Sequence, residues 1–122
     1  MKLSDCKMIK PVTCEKFEDL TTMAKRMVDH KVKHLMVVDK DVPVGIVSMS
    51  DIVSRAVALG KDNTTKAQDI MTFPIESLDV DSSVENALMV MIQKNVFFMP
   101  VTKEGKLVGM LPFTNKLKEH AC

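Results

Sequence analysis

The chain repeats itself at an offset of 64 residues. No other feature constrains its fold as much. Leu20, Met23, Ala24, Met27 and Val28 fall on Val84, Ala87, Leu88, Met91 and Ile92. Both sets follow the i, i+3, i+4, i+7, i+8 spacing of an amphipathic helix. Ser82 or Ser83 offers a hydroxyl to cap the second helix, and Glu18 and Asp19 place negative charge near the start of the first. Leu35, Val37 and Val38 then lie over Met99, Val101 and Thr102, and Val44-Gly45-Ile46-Val47 over Val108-Gly109-Met110-Leu111. Polar turns, Asp39-Lys40-Asp41 and Lys103-Glu104-Gly105, separate these apolar runs, so each half predicts a hairpin. A second helix follows Ser50, runs through Ile52, Val53, Ala56 and Val57, and stops near Gly60. Its counterpart starts from Asn115.

Each half reads β-α-β-β-α. The expected fold is therefore α/β (α+β-like), with repeat 1 at residues 1–60, a polar linker at 61–66 and repeat 2 at 67–122. A unit of that size is marginal alone, and two copies sharing a core would bury an apolar face between their sheets.

Composition removes several functions. Net charge is +1, so no basic surplus supports nucleic-acid binding. No apolar run approaches the roughly 18 residues of a membrane span, and MKLSDCKMIK lacks a signal-peptide core, which makes the expected location cytoplasmic. The spacings of Cys6, Cys14 and Cys122 fit neither a zinc site nor a disulfide framework, and the expectation is reduced thiols without a role. His30 and His34 stand four apart, but a helix ends near the first and a strand begins near the second, so no metal site is expected. The 11 methionines read as core filler.

Two matched stretches carry the chemistry: GIVSMSD, from Gly45 to Asp51, and GMLPFTN, from Gly109 to Asn115. Glycine admits a close approach of backbone or ligand. The hydroxyls of Ser48 and Ser50 can donate to phosphate or ribose oxygens, and ionised Asp51 suits the two hydroxyls of a ribose. The helix starting near Ser50 aims backbone N–H groups at an anion. Ser50 and Asp51 are equally good residues for simply starting a helix. Both roles can hold at once. In the second copy Pro112 has no hydroxyl or N–H, and Asn115 is neutral.

These features together resemble the cystathionine-β-synthase (CBS) domain, usually paired as a Bateman module. The resemblance lies in the tandem repeat, in the strand pairs HLMVVDKDVPVGIVSMSD and FFMPVTKEGKLVGMLPFTN, and in the lead-in AQDIMTFPIESLDVDSSVENAL. It covers nearly the whole chain. It implies two motifs packed with pseudo-two-fold symmetry through their sheets. It also implies a regulatory module that binds AMP, ADP, ATP or S-adenosylmethionine between the repeats, without chemistry of its own.

Gly45, Ile46, Ser48 and Asp51 satisfy the family's ligand motif, G-hydrophobic-x-Ser/Thr-x-x-Asp. By the same resemblance, backbone groups at Thr72, Pro74, Ile75 and Glu76 would hold adenine, Ile46 would pack on the ring, and Lys33 would reach the phosphates, with His34 a lesser candidate. Asn95 and Phe97 stand where some relatives add basic phosphate contacts, so a monophosphate or adenosyl group is better served than a triphosphate. The second, weaker site would use Lys10, Pro11, Val12 and Thr13 with Met110, Thr114 and Asn115.

No Ser-His-Asp arrangement, metal motif or P-loop is present, so no enzyme and no required cofactor is expected. Three functions remain: an adenosyl-ligand sensor acting on an unknown protein target in trans, a ligand-independent dimerisation or interaction module, and an unrecognised enzyme. The apolar stripes of two helices per repeat exceed what one core can cover, which predicts a homodimer.

Overall fold

The computed structural model describes residues 1–112, so the expected last helix, with Thr114 and Asn115, lies outside the described residues. The chain divides into two compact units, Pro11–Ile75, and Met1–Lys10 together with the chain from Glu76 onward. These units do not share the borders of the sequence repeats. Residues 67–75 open the second repeat but pack with the first hairpin, and residues 1–10 pack with the second.

In the unit Pro11–Ile75 the order is β1 (Thr13–Glu15), α1 (Leu20–His30), β2 (His34–Asp39), β3 (Val42–Ser48), α2 (Met49–Ile52) and α3 (Ala67–Ile70). β1 is parallel to β2, and β2 is antiparallel to β3. Asp19 caps α1 by accepting from the Thr22 N–H at 2.9 Å. The helix ends where Lys31 turns left-handed, at φ 55°. Lys40 and Asp41, both at positive φ, make the two-residue turn that suits the twist of a hairpin. Val37 pairs with Gly45 and Val38 with Pro43, so Val44 is the extra residue of a bulge immediately before the glycine. The predicted second helix is two pieces: α2 passes into a π-helical turn over Val53–Val57, and Gly60, at φ 70°, follows it.

This unit has its own core. Leu20, Met23 and Met27 of α1 pack with Cys14, Leu35, Val37, Val47, Ala56, Ala67 and Ile70. Only part of the predicted stripe is buried, because Ala24 and Val28 face solvent. An ion-paired strut joins β1 to α1. Arg26 grips both carboxylate oxygens of Glu18 at 2.9 and 2.8 Å and donates to the Thr13 carbonyl at 3.0 Å. That grip holds the Glu18 carboxyl below its usual range. Burial, reinforced by the Glu18 charge, pushes the neighbouring Cys14 thiol up to about 12.

The other unit repeats the plan with β4 (Leu78–Asp79), α4 (Val84–Lys94), β5 (Phe98–Lys103) and β6 (Lys106–Pro112). β4 is parallel to β5, and β5 antiparallel to β6. Ser83, of the two serines proposed, is the cap of α4. Asn95 (φ 53°) ends that helix as Lys31 ends α1. Glu104 and Gly105 form the hairpin turn, and Val108 is the bulge residue before Gly109. The N-terminus completes this core: Leu3 is fully buried, and its N–H donates to the Ser82 carbonyl at 2.9 Å. Cys6 is disulfide-bonded, which corrects the expectation of three reduced thiols. Cys14 is a free, buried cysteine.

Candidate functional site

The sequence of GIVSMSD folds as strand, cap and helix in immediate succession. Gly45, Ile46 and Val47 belong to β3, Ser48 ends it, and Met49–Ile52 form α2. The Asp51 N–H donates to Ser48 Oγ at 3.0 Å, and the Ser48 N–H donates to Asp51 Oδ2 at 2.9 Å. This reciprocal pair is a capping box. The helix-starting role of Asp51 is therefore present, and Ser48 rather than Ser50 is the N-cap. Ser50 is exposed, and its carbonyl accepts from the Ser54 hydroxyl at 2.7 Å.

The lead-in lies beside β3 in the same unit. The Ile46 N–H donates to the Thr72 carbonyl at 3.1 Å, and the Thr72 N–H donates to the Ile46 carbonyl at 2.8 Å. Gly45 makes this approach feasible. A Cβ there would overlap the Met71 Sδ and would stand 3.1 Å from the Thr72 carbonyl oxygen. With the Thr72 N–H committed to Ile46, the remaining donor at Thr72 is its side-chain hydroxyl, while its backbone carbonyl keeps one lone pair. Pro74 is exposed and Ile75 half-buried in the same segment. Lys33 stands at this end of the hairpin: its carbonyl accepts from the Met49 N–H at 3.0 Å and its side chain is exposed. His34 pairs in register with Ser48.

Lys33, Ile46, Ser48, Ser50, Asp51, Thr72, Pro74 and Ile75 thus fall in one compact unit. Glu76 falls in the other, where it ion-pairs with Lys94 at 3.3 Å. The second set is divided similarly. Pro11, Val12 and Thr13 belong to the first unit, Met110 to the second, and Thr114 and Asn115 lie outside the described residues. What pairs with Met110 is Ile9, by two bonds of 2.9 Å, and Gly109 admits Met8 as Gly45 admits Met71. The lead-ins therefore align at an offset of 63, Met8-Ile9 over Met71-Thr72, one residue out of step with the hairpins. Pro11-Val12-Thr13 and Pro74-Ile75-Glu76 already stand at that offset in the sequence, which was the signal for Ile9 as the counterpart of Thr72.

Arg55 was missed as well. Its Nε lies 3.7 Å from Asp51 Oδ1, and its Nη1 donates to the Met71 carbonyl at 3.1 Å and the Ile70 carbonyl at 3.3 Å. It joins the carboxylate of α2 to the start of the lead-in. The i, i+4 spacing from Asp51 was the available signal. Among the described residues no group of three or more His, Cys, Asp or Glu side chains could hold a metal ion. No helix among them is long and apolar enough to cross a membrane.

Two β-α-β-β units, each with its lead-in pinned to the glycine-bearing strand, define a tandem-repeat module of mixed α and β structure. The CBS domain matches residues 3–58 and 67–115, and the chain belongs to that family. A crystal structure of Hypoxic Response Protein I with two coordinated zinc ions is 31% identical, with a TM-score of 0.83 and 98% of each chain covered. A CBS domain protein from Pyrobaculum aerophilum, complexed with AMP, is 26% identical, with a TM-score of 0.75 over 92% of this chain and 87% of that one. An uncharacterized protein of Methanopyrus kandleri is 29% identical over 88% of this chain, which spans only 56% of that protein's length.

Proposed function

We propose that this chain is a regulatory module that binds an adenosine-containing ligand beside Ser48 and Asp51 and acts on a protein partner in trans. The observation that carries the reading is the Ile46–Thr72 pairing, which draws the lead-in alongside the strand that ends at the capping box. Ser48 and Asp51 take the ribose, the Thr72 hydroxyl with Pro74 and Ile75 takes the base with Ile46 against it, and Lys33 reaches a phosphate. The AMP complex of the Pyrobaculum relative supports an adenosyl ligand. The module performs no catalysis, works in the cytoplasm, and dimerises through apolar residues such as Val53 and Val57, which are 60% and 62% exposed on one side of the helix after Ser48. Sedimentation of a monomer at micromolar concentration would count against the dimer.

A thermal-shift panel of AMP, ADP, ATP and S-adenosylmethionine on wild type and Asp51→Ala tests the ligand. A true ligand raises the midpoint with concentration as RT ln(1 + [L]/Kd), and Asp51→Ala loses that rise. No shift in wild type sinks the reading, and equal shifts in both proteins misplace the site. The reciprocal bonding of Ser48 and Asp51 favours one rival reading, a ligand-independent interaction module, because the pair already has a complete structural role.

A further inference from the structure

We propose that Arg55 sets the charge preference of this site, by neutralising the Asp51 carboxylate so that a phosphate-bearing adenosine ligand is accepted. The inference rests on the ligand-binding reading above and narrows its ligand class. The Asp51 side chain is 14% exposed and that of Arg55 49%, so the carboxylate is largely withdrawn from water while the guanidinium keeps a solvent face. An uncompensated carboxylate in that position repels a nearby phosphate, and the repulsion grows as water is excluded. Arg55 opposes it from 3.7 Å.

Arg55 is also held in place to do more than brace a helix end. Its Nη1 is anchored on the Ile70 and Met71 carbonyls, and its Nε faces Asp51. A guanidinium carries five N–H donors in a rigid fork. Among the described residues, the two Nη2 donors have no hydrogen-bond partner. A planar, half-exposed, anchored cation with an open pair of donors fits an anionic oxygen acceptor better than a sulfonium cation. The site should therefore favour a nucleoside phosphate over S-adenosylmethionine.

Calorimetric titration of the full chain with AMP, adenosine and S-adenosylmethionine tests this, at one ionic strength, on wild type, Arg55→Met and Arg55→Lys. Wild type should prefer AMP to the other two. Arg55→Met should weaken AMP about tenfold and adenosine by less than about threefold, and Arg55→Lys, which keeps the charge but not the anchored fork, should recover only part of the loss. Equal losses for AMP and adenosine would reduce Arg55 to a brace and overturn the proposal, as would a wild type that prefers adenosine. Should Arg55→Met not fold, the salt dependence of the wild type decides: AMP binding must weaken as ionic strength rises while adenosine binding holds, and parallel behaviour overturns it. A wild type that binds none of the three removes the ligand reading and this inference together. A wild type that binds while the AMP-to-adenosine ratio stays fixed across the variants removes this inference alone.

Discussion

Ser48 and Asp51 bond to each other in both directions across the start of α2, at 3.0 and 2.9 Å. A cap and a ribose grip are commonly weighed as rivals, but this geometry leaves room for both. The Ser48 hydroxyl accepts from Asp51 and still has a proton to donate, and the carboxylate keeps lone pairs beyond those facing the Ser48 N–H and Arg55. A ligand can therefore join the box without breaking it.

Removing the carboxylate should accordingly have two separable effects. Asp51→Ala should cost about 1 kcal/mol of stability in the absence of ligand, because Ser48 still caps the helix but its own N–H loses the carboxylate that closes the capping box. At this domain size that is a fall of roughly 4–8 °C in Tm. It should also abolish ligand-induced stabilisation. Asp51→Asn retains an acceptor, so it should recover most of the intrinsic stability but little of the ligand response. Thermal unfolding with and without AMP reads both. A full ligand response in Asp51→Asn would show that the ribose does not depend on the charge.

Gly45→Ala should loosen the lead-in. The new methyl group would meet Met71 Cγ at 2.9 Å and the Thr72 carbonyl oxygen at 3.1 Å. The Met71 chain can move, whereas the carbonyl is fixed by its bond from Ile46. We expect a loss of about 1–3 kcal/mol by chemical denaturation, with Met71→Ala in the same chain restoring only part of it. Full restoration would mean that the side chain alone forces glycine at this position.

Much of this architecture was legible because periodicity reports local structure. The α1 and α4 stripes and the hairpin turns at Lys40-Asp41 and Glu104-Gly105 follow from spacing or turn chemistry, whereas the cap of α2 is Ser48 and not the Ser50 expected. What stayed hidden depends on distant partners. Nothing in MKLSDCKMIK says that Leu3 completes the core around Val84 and Met91. The Arg55 guanidinium acquires its meaning only when the Met71 carbonyl arrives from the chain sixteen residues on. The burial of only one edge of each helical stripe was equally invisible, since Val28 and Ile92 are as apolar as the residues that pack.

Stability should fall on the acid side through Glu18. Its folded carboxyl titrates below the unfolded value because Arg26 holds the charged form. The contribution is therefore complete above the unfolded glutamate pKa of about 4.3 and is lost as pH falls through the lower folded value. Asp19, lowered by its bonds from Thr22, adds to the same trend. Glu18→Gln should flatten the decline between about pH 5 and pH 3 and cost about 1 kcal/mol near neutrality. Urea unfolding across that range tests it. An unchanged acid slope in Glu18→Gln would mean that other carboxylates govern it.

Cys14 should be chemically silent until the unit opens. Reaction with an alkylating agent requires the thiolate. Burial and the Glu18 charge push this thiol up to about 12, and its side chain lies among Met23, Leu35 and Val37. At pH 8 iodoacetamide should therefore leave Cys14 unmodified in the native protein and label it quickly in urea, as read by peptide mass spectrometry. Glu18→Gln removes one of the charges that raise the thiol but leaves burial, the larger cause, in place. It should accelerate labelling only as far as it destabilises the fold. Labelling faster than that increase in unfolding would show that the Glu18 charge, and not burial, protects the sulfur.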